Sequence, residues 1–145
     1  MDDGTVATAE TEDMKVTVFY DENAENPREY DGHLSVMACF HKRYKIGDDL
    51  HQNEDPFEFQ KWVTTSEDVA VWLPIYMLDH GGLTIRTYPF DDPWDSGLLG
   101  YIYTTKEAIR KCYGKERISR KLLEKVEKRL LEDIRRVDCY LRGDI

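Results

Sequence analysis

The sequence predicts an α+β domain in which an antiparallel or mixed sheet packs one face against a long C-terminal helix. Short β-like runs fill the first two-thirds of the 145 residues, and two helical patterns fill the rest. A hydrophobic share of 41% suits one core of ordinary domain size rather than two. Three Trp, nine Tyr and five Phe supply large areas worth burying, which sets the chain apart from sequences that stay unfolded.

Residues 1–13 (MDDGTVATAETED) have no periodic apolar set and read as a disordered acidic tail, leaving 14–145 as the domain. In 14–20 (MKVTVFY), Val16, Val18 and Tyr20 alternate with Lys15, Thr17 and Phe19, the period of a half-buried strand. An acidic loop over 21–33 separates it from a second β-like run, 34–40 (LSVMACF). Asp55-Pro56-Phe57-Glu58 then opens a short helix with a carboxylate cap, Pro at the first helical position and Glu three residues after the cap. Phe59, Trp62 and Val63 fall on one face of it.

The runs 69–77 and 83–88 flank Asp79-His80-Gly81-Gly82 and read as a hairpin, since glycines reach positive φ without a Cβ clash. Pro74 cannot donate to a ladder, so a bulge or an edge position is expected there. A strand over 99–103 leads to Thr104-Thr105-Lys106-Glu107, a capping-box pattern, with Gly114 closing that helix. From Ser119, Leu122, Val126, Leu130, Ile134, Val137 and Leu141 recur three and four apart, so a six-turn helix ended by Gly143 has one apolar stripe. Glu124 with Lys128 and Glu132 with Arg136 stand four apart in the favourable order.

Charge is divided unevenly along the chain. The first hundred residues hold 7 Lys/Arg against 21 Asp/Glu, and 101–145 hold 13 against 8. An acidic body gains nothing from phosphate, because nucleic-acid binders draw affinity from counterions released to Lys and Arg. A basic partner surface is the matching expectation. Cys39, Cys112 and Cys139 show no C-x-x-C, so neither a disulfide framework nor a zinc knuckle is indicated. No signal peptide and no membrane-length apolar run is present, so the expectation is a cytoplasmic protein that does not contact membranes.

Residues able to carry chemistry cluster in two places. The turn holding Asp79 and His80 and the loop holding Asp91, Asp92, Trp94, Asp95 and Ser96 offer donors for a divalent metal or acid/base work. The plainer reading makes Trp94 a plug over the sheet and the aspartates Asx-turn residues, with no metal and no cofactor. His41, Lys42 and Arg43 form the basic cluster of the first hundred residues, a candidate to pair with His80 or with a substrate phosphate, or more plainly a solvated strand end whose cations neutralise neighbouring acids. Cys39 is read as core, or as a nucleophile if a histidine comes within reach. His33 and His51 sit in polar loops and suggest nothing specific. A Gly-rich phosphate loop, G-x-S-x-G and H-E-x-x-H are absent from the sequence.

The blocks KVTVFYDEN (15–23), PREY (27–30), CFHKRY (39–44), DHGG (79–82), and PWDSG (93–97) with GYIY (100–103) resemble a family of short acidic proteins carried by bacteriophages, conjugative elements and other mobile DNA. The resemblance carries over no catalytic residue; what it implies is a setting in which small acidic proteins block host defence. Restriction enzymes and CRISPR effectors have basic nucleic-acid channels, so this setting and the carboxylates point the same way. The expected function is therefore a non-enzymatic anti-defence protein acting by nucleic-acid mimicry, with a host nuclease or CRISPR effector as partner. Its expected contact residues are Asp21, Glu22, Glu25, Glu29, Asp31, Asp48, Asp49, Asp91, Asp92 and Asp95. Two rival readings are a small metal-dependent hydrolase or nucleotide-modifying enzyme built on the His80 and Asp95 loops, and a self-associating adaptor, a homodimer through the last helix.

Overall fold

A computed structural model of the chain describes residues 26–29 and 33–143. The expected tail over 1–13 and strand over 14–20 lie outside the described residues, as does most of the acidic loop. After a 3-10 turn at Pro27–Glu29, the elements run β1 (Val36–Cys39), α1 (Pro56–Thr65), β2 (Val69–Asp79), β3 (Leu83–Arg86), β4 (Ser96–Thr105), α2 (Lys106–Tyr113) and α3 (Arg120–Arg142). The four strands form one antiparallel sheet in the order β1-β4-β2-β3.

Alternation along the strands sends two sets of side chains to opposite faces. Met37, Ile75, Met77, Ile85 and Ile102 pack with Ile109 of α2 and Val126, Leu130, Ile134 and Val137 of α3. Ala38, Tyr101 and Tyr103 pack with Phe59 and Val63 of α1. The apolar stripe expected for α3 thus meets the sheet, and the second face is covered too, but only in part. Trp72, edge-on to Tyr101 at 5.8 Å, stays 39% exposed because α1 is just ten residues long.

Each helix begins as its cap chemistry dictates. Asp55 accepts from the Phe57 N–H with Pro56 following, and Ser119 accepts from the Leu122 N–H. Gly114 and Gly143 take left-handed conformations at the ends of α2 and α3. The capping box at α2 does not form. Thr105 is the cap and accepts from Ala108 N, whereas Thr104 is buried and its hydroxyl donates to Leu34 O at 2.9 Å. Core burial claimed the threonine that the local pattern assigned to the helix. On α3, Glu132 pairs with Arg135 at 2.9 Å rather than with Arg136.

β4 is longer than its apolar run. Ser96, Gly97 and Leu98 join it because β2 extends to Asp79 and offers Leu78, Met77 and Tyr76 as partners. Pro74 sits in the half of β2 that β3 does not pair, next to a register shift between Ile75 and Tyr76, so both sequence-level solutions are used. Gly100 is obligatory: a Cβ there would lie 1.9 Å from Ala38 O on the neighbouring strand.

Both outer strands are closed by aspartates. On β1, Met37 N donates to Asp48 Oδ2 at 2.9 Å and Asp48 N donates back to Met37 O at 2.7 Å. On β3, Ile85 N donates to Asp138 Oδ1 of α3 at 2.9 Å. Satisfied edge groups cannot template a further strand at those positions. Among the described residues, no helix is long and apolar enough to cross a membrane.

Candidate functional site

Two loops meet beyond one end of the β2–β3 hairpin. Asp79 N donates to Asp95 O at 2.8 Å, which clamps the end of β2 to the loop before β4. Within that loop, Asp92 Oδ1 accepts from Trp94 N at 2.8 Å and Asp95 N at 3.0 Å, while the Ser96 hydroxyl donates to Asp92 O. This is the Asx-turn chemistry the sequence suggested. The Arg86 guanidinium lies 4.0 Å from the ring centres of both Tyr88 and Phe90 and donates to Tyr88 O and Pro89 O, fixing the start of the loop.

The structure overturns the placement of Trp94 as a plug. Its side chain stands clear of the sheet at 90% exposure, because the backbone bonds to Asp92 turn it outward. Trp94 is the most exposed large apolar side chain among the described residues, on a hydrogen-bonded loop that also carries Asp91, Asp92 and Asp95.

His80 Nδ1 lies 2.8 Å from Asp95 Oδ2. The Asp95 hydrogen bond and charge, and then Asp92, hold the His80 imidazole above its ordinary pKa, while the N–H groups of Asp95 and Trp94 hold Asp92 below the usual carboxylate range. One ligand atom each from His80, Asp92 and Asp95 falls within 4.8 Å of the others. Their closeness is accounted for by the bonds just described, since Asp92 Oδ1 already accepts two N–H groups. Asp91 is exposed on the same loop.

The basic cluster adjoins this site. His41 Nδ1 accepts from Arg43 N and Tyr44 N at 3.0 and 3.2 Å, making a tight turn. From that turn Tyr44 donates to Asp79 Oδ2 at 3.0 Å. A groove of about 300 Å³ between the loops is lined by His41, Asp79, Trp94, Asp95 and Leu98. A second cleft of about 490 Å³ on the other side of the turn is lined by Lys42, Arg43, Lys45 and Glu54. Fold therefore joins His41, Asp79, Trp94 and Asp95, which lie far apart in sequence.

The remaining candidates are placed differently. Asp48 turns inward: its two oxygens take Arg28 Nε and Nη2 at 3.0 and 2.8 Å, with the Arg28 side chain only 2% exposed. Asp49 pairs with Lys45 at 3.0 Å. Glu29 closes the 3-10 turn, and Asp21, Glu22, Glu25 and Asp31 lie outside the described residues. Asp91, Asp92 and Asp95 share a loop with the exposed Trp94. Cys39 packs against the core, where burial and then the Asp48 carboxylate push its thiol up, the core placement the sequence suggested.

Sequence reasoning passed over two polar groups that the fold makes central. Arg28 also donates to Ser35 O at 2.8 Å and lies 3.6 Å from Asp133 of α3. His51 bridges Glu54 and Tyr103, each at 2.6 Å, against the rings of Phe59 and Trp62. Burial carries the Tyr103 phenol up to about 12, so it stays a donor. A Pro-Arg pair and a loop histidine carry no periodic signal that would have marked them.

The described residues hold 19 Lys/Arg and 19 Asp/Glu, so the formal −9 of the chain resides wholly in residues 1–25, 30–32 and 144–145. Comparison with protein-family models, curated proteins and solved structures finds no match to this chain.

Proposed function

We propose that the protein is a non-enzymatic binding protein of the anti-defence kind that inserts Trp94 into an apolar pocket of a host nuclease or CRISPR effector. The 90% exposure of Trp94 on a loop held by Asp92, Asp95 and His80 carries the reading. Tryptophan is among the residues enriched at interface hot spots, and truncating a hot-spot residue costs about 2 kcal/mol or more of binding. Asp91, Asp92 and Asp95 around it favour a partner whose pocket has a basic rim, as nucleic-acid channels do. Charge then guides approach and the indole supplies affinity, so mimicry of nucleic acid is the lesser part of the mechanism.

The test is protection of a targeted plasmid in cells carrying a restriction or CRISPR system, with binding to the purified effector measured alongside. Trp94→Ala should abolish protection and weaken binding about 30-fold or more while leaving the melting temperature unchanged. Full protection by Trp94→Ala would overturn the proposal. The hydrolase reading rests on the His80, Asp92 and Asp95 atoms, and a rise in melting temperature with Mn²⁺ or Zn²⁺ that His80→Ala removes would favour it instead.

A further inference from the structure

On the far side of the molecule, residues 106–129 carry ten Lys/Arg and four Asp/Glu, and all ten cations are exposed. Among the described residues none of the ten lies within ion-pair distance of a carboxylate. The two helices that carry them meet at Tyr113 of α2, which accepts from Arg129 of α3 at 3.0 Å and has Lys125 Nζ 5.6 Å from its ring centre. The N-terminal turn of α3 holds no acid, so Arg120 and Lys121 stand where the helix dipole also favours an anion. Unrelieved like charge of this density calls for an anionic occupant.

Residues 1–25 have the matching charge, eight Asp/Glu against one Lys. They also join the described chain in the right place. Asn26 precedes Arg28, which lies against Asp133 of α3, and from Asp133 to Arg120 is about 20 Å along the helix. Twenty-five residues span up to about 80–90 Å, and a tethered segment acts at millimolar effective concentration.

We propose that the basic α2–α3 surface is the docking site of this chain's own acidic segment, residues 1–25. Docked there, the segment withholds the surface from nucleic acid. Asp/Glu side chains substitute for phosphates, and the contact weakens as salt rises.

Zero-length carbodiimide coupling of the full-length monomer, read by mass spectrometry, tests this directly. Cross-links should join Asp/Glu of residues 1–25 to Lys111, Lys115, Lys121, Lys125 or Lys128, and fall about tenfold at about 1 M salt. Coupling to Lys42, Lys45 or Lys61 at equal frequency would overturn the proposal, and so would cross-links confined to a dimer, which would make a second copy the occupant. As an independent measurement, Glu10→Gln, Glu12→Gln and Asp13→Asn together should raise affinity for a 20-base-pair DNA at least fivefold at about 20 mM salt. Unchanged affinity would mean that the surface is not held by the segment.

Discussion

At the scale of single residues, buried polar groups are held by partners far away in sequence. Arg28 is bound by Asp48, Ser35 and Asp133, which ties the N-terminal turn, the edge of β1 and α3 together. Taking away the guanidinium leaves carboxylates facing one another with no counter-charge. Arg28→Met should therefore destabilise the fold by about 3–5 kcal/mol, read from denaturant unfolding. His51→Ala strands the Tyr103 hydroxyl inside the aromatic cluster, and about 1–3 kcal/mol should be lost in the same assay. Trp94→Ala, by contrast, removes nothing the fold uses and should change stability by less than about 0.5 kcal/mol.

At the scale of elements, the strand pair β1–β4 depends on close backbone approach. A methyl group at Gly100 would strike Ala38 O, so Gly100→Ala should cost about 3 kcal/mol or more, visible as a lowered melting temperature. The loop between β3 and β4 is governed by pH through His80. Since Asp95 raises its pKa in the folded loop, the stabilising contact is complete below the unfolded value of about 6.5 and is lost as pH climbs through the folded value. Hydrogen exchange at the Trp94 and Asp95 amides, corrected for intrinsic rate, should accelerate in the native protein as pH rises above the unfolded value of about 6.5. His80→Gln should flatten that dependence.

At the scale of the whole molecule, the described body is electrically neutral while α2 and the first half of α3 are basic. Its sheet has one covered face and one partly covered face, an aspartate bonded to a backbone N–H on each outer strand, and one corner from which an indole projects. Among the described residues Trp94 is the most exposed large apolar side chain, and it stands on an acidic loop. Binding through Trp94 should accordingly lose only part of its strength at high salt, since screening weakens the rim and leaves the buried indole untouched.

The sequence by itself determined the α+β class, the hairpin, all three helix starts to within a residue and the stripe by which α3 meets the sheet. Each of those follows from spacing and cap chemistry within a few residues. Tertiary structure alone decided that Thr104 serves the core, that Asp48 turns onto Arg28, that His51 binds Tyr103, and that Trp94 faces water beside His41 and Asp79. These outcomes depend on which strands become neighbours, and a side chain's partner across the sheet leaves no trace in the residues beside it. Charge shows the same division: the basic stretch over 101–145 is legible in the composition, but only folding shows that α2 and α3 meet through Tyr113 and Arg129.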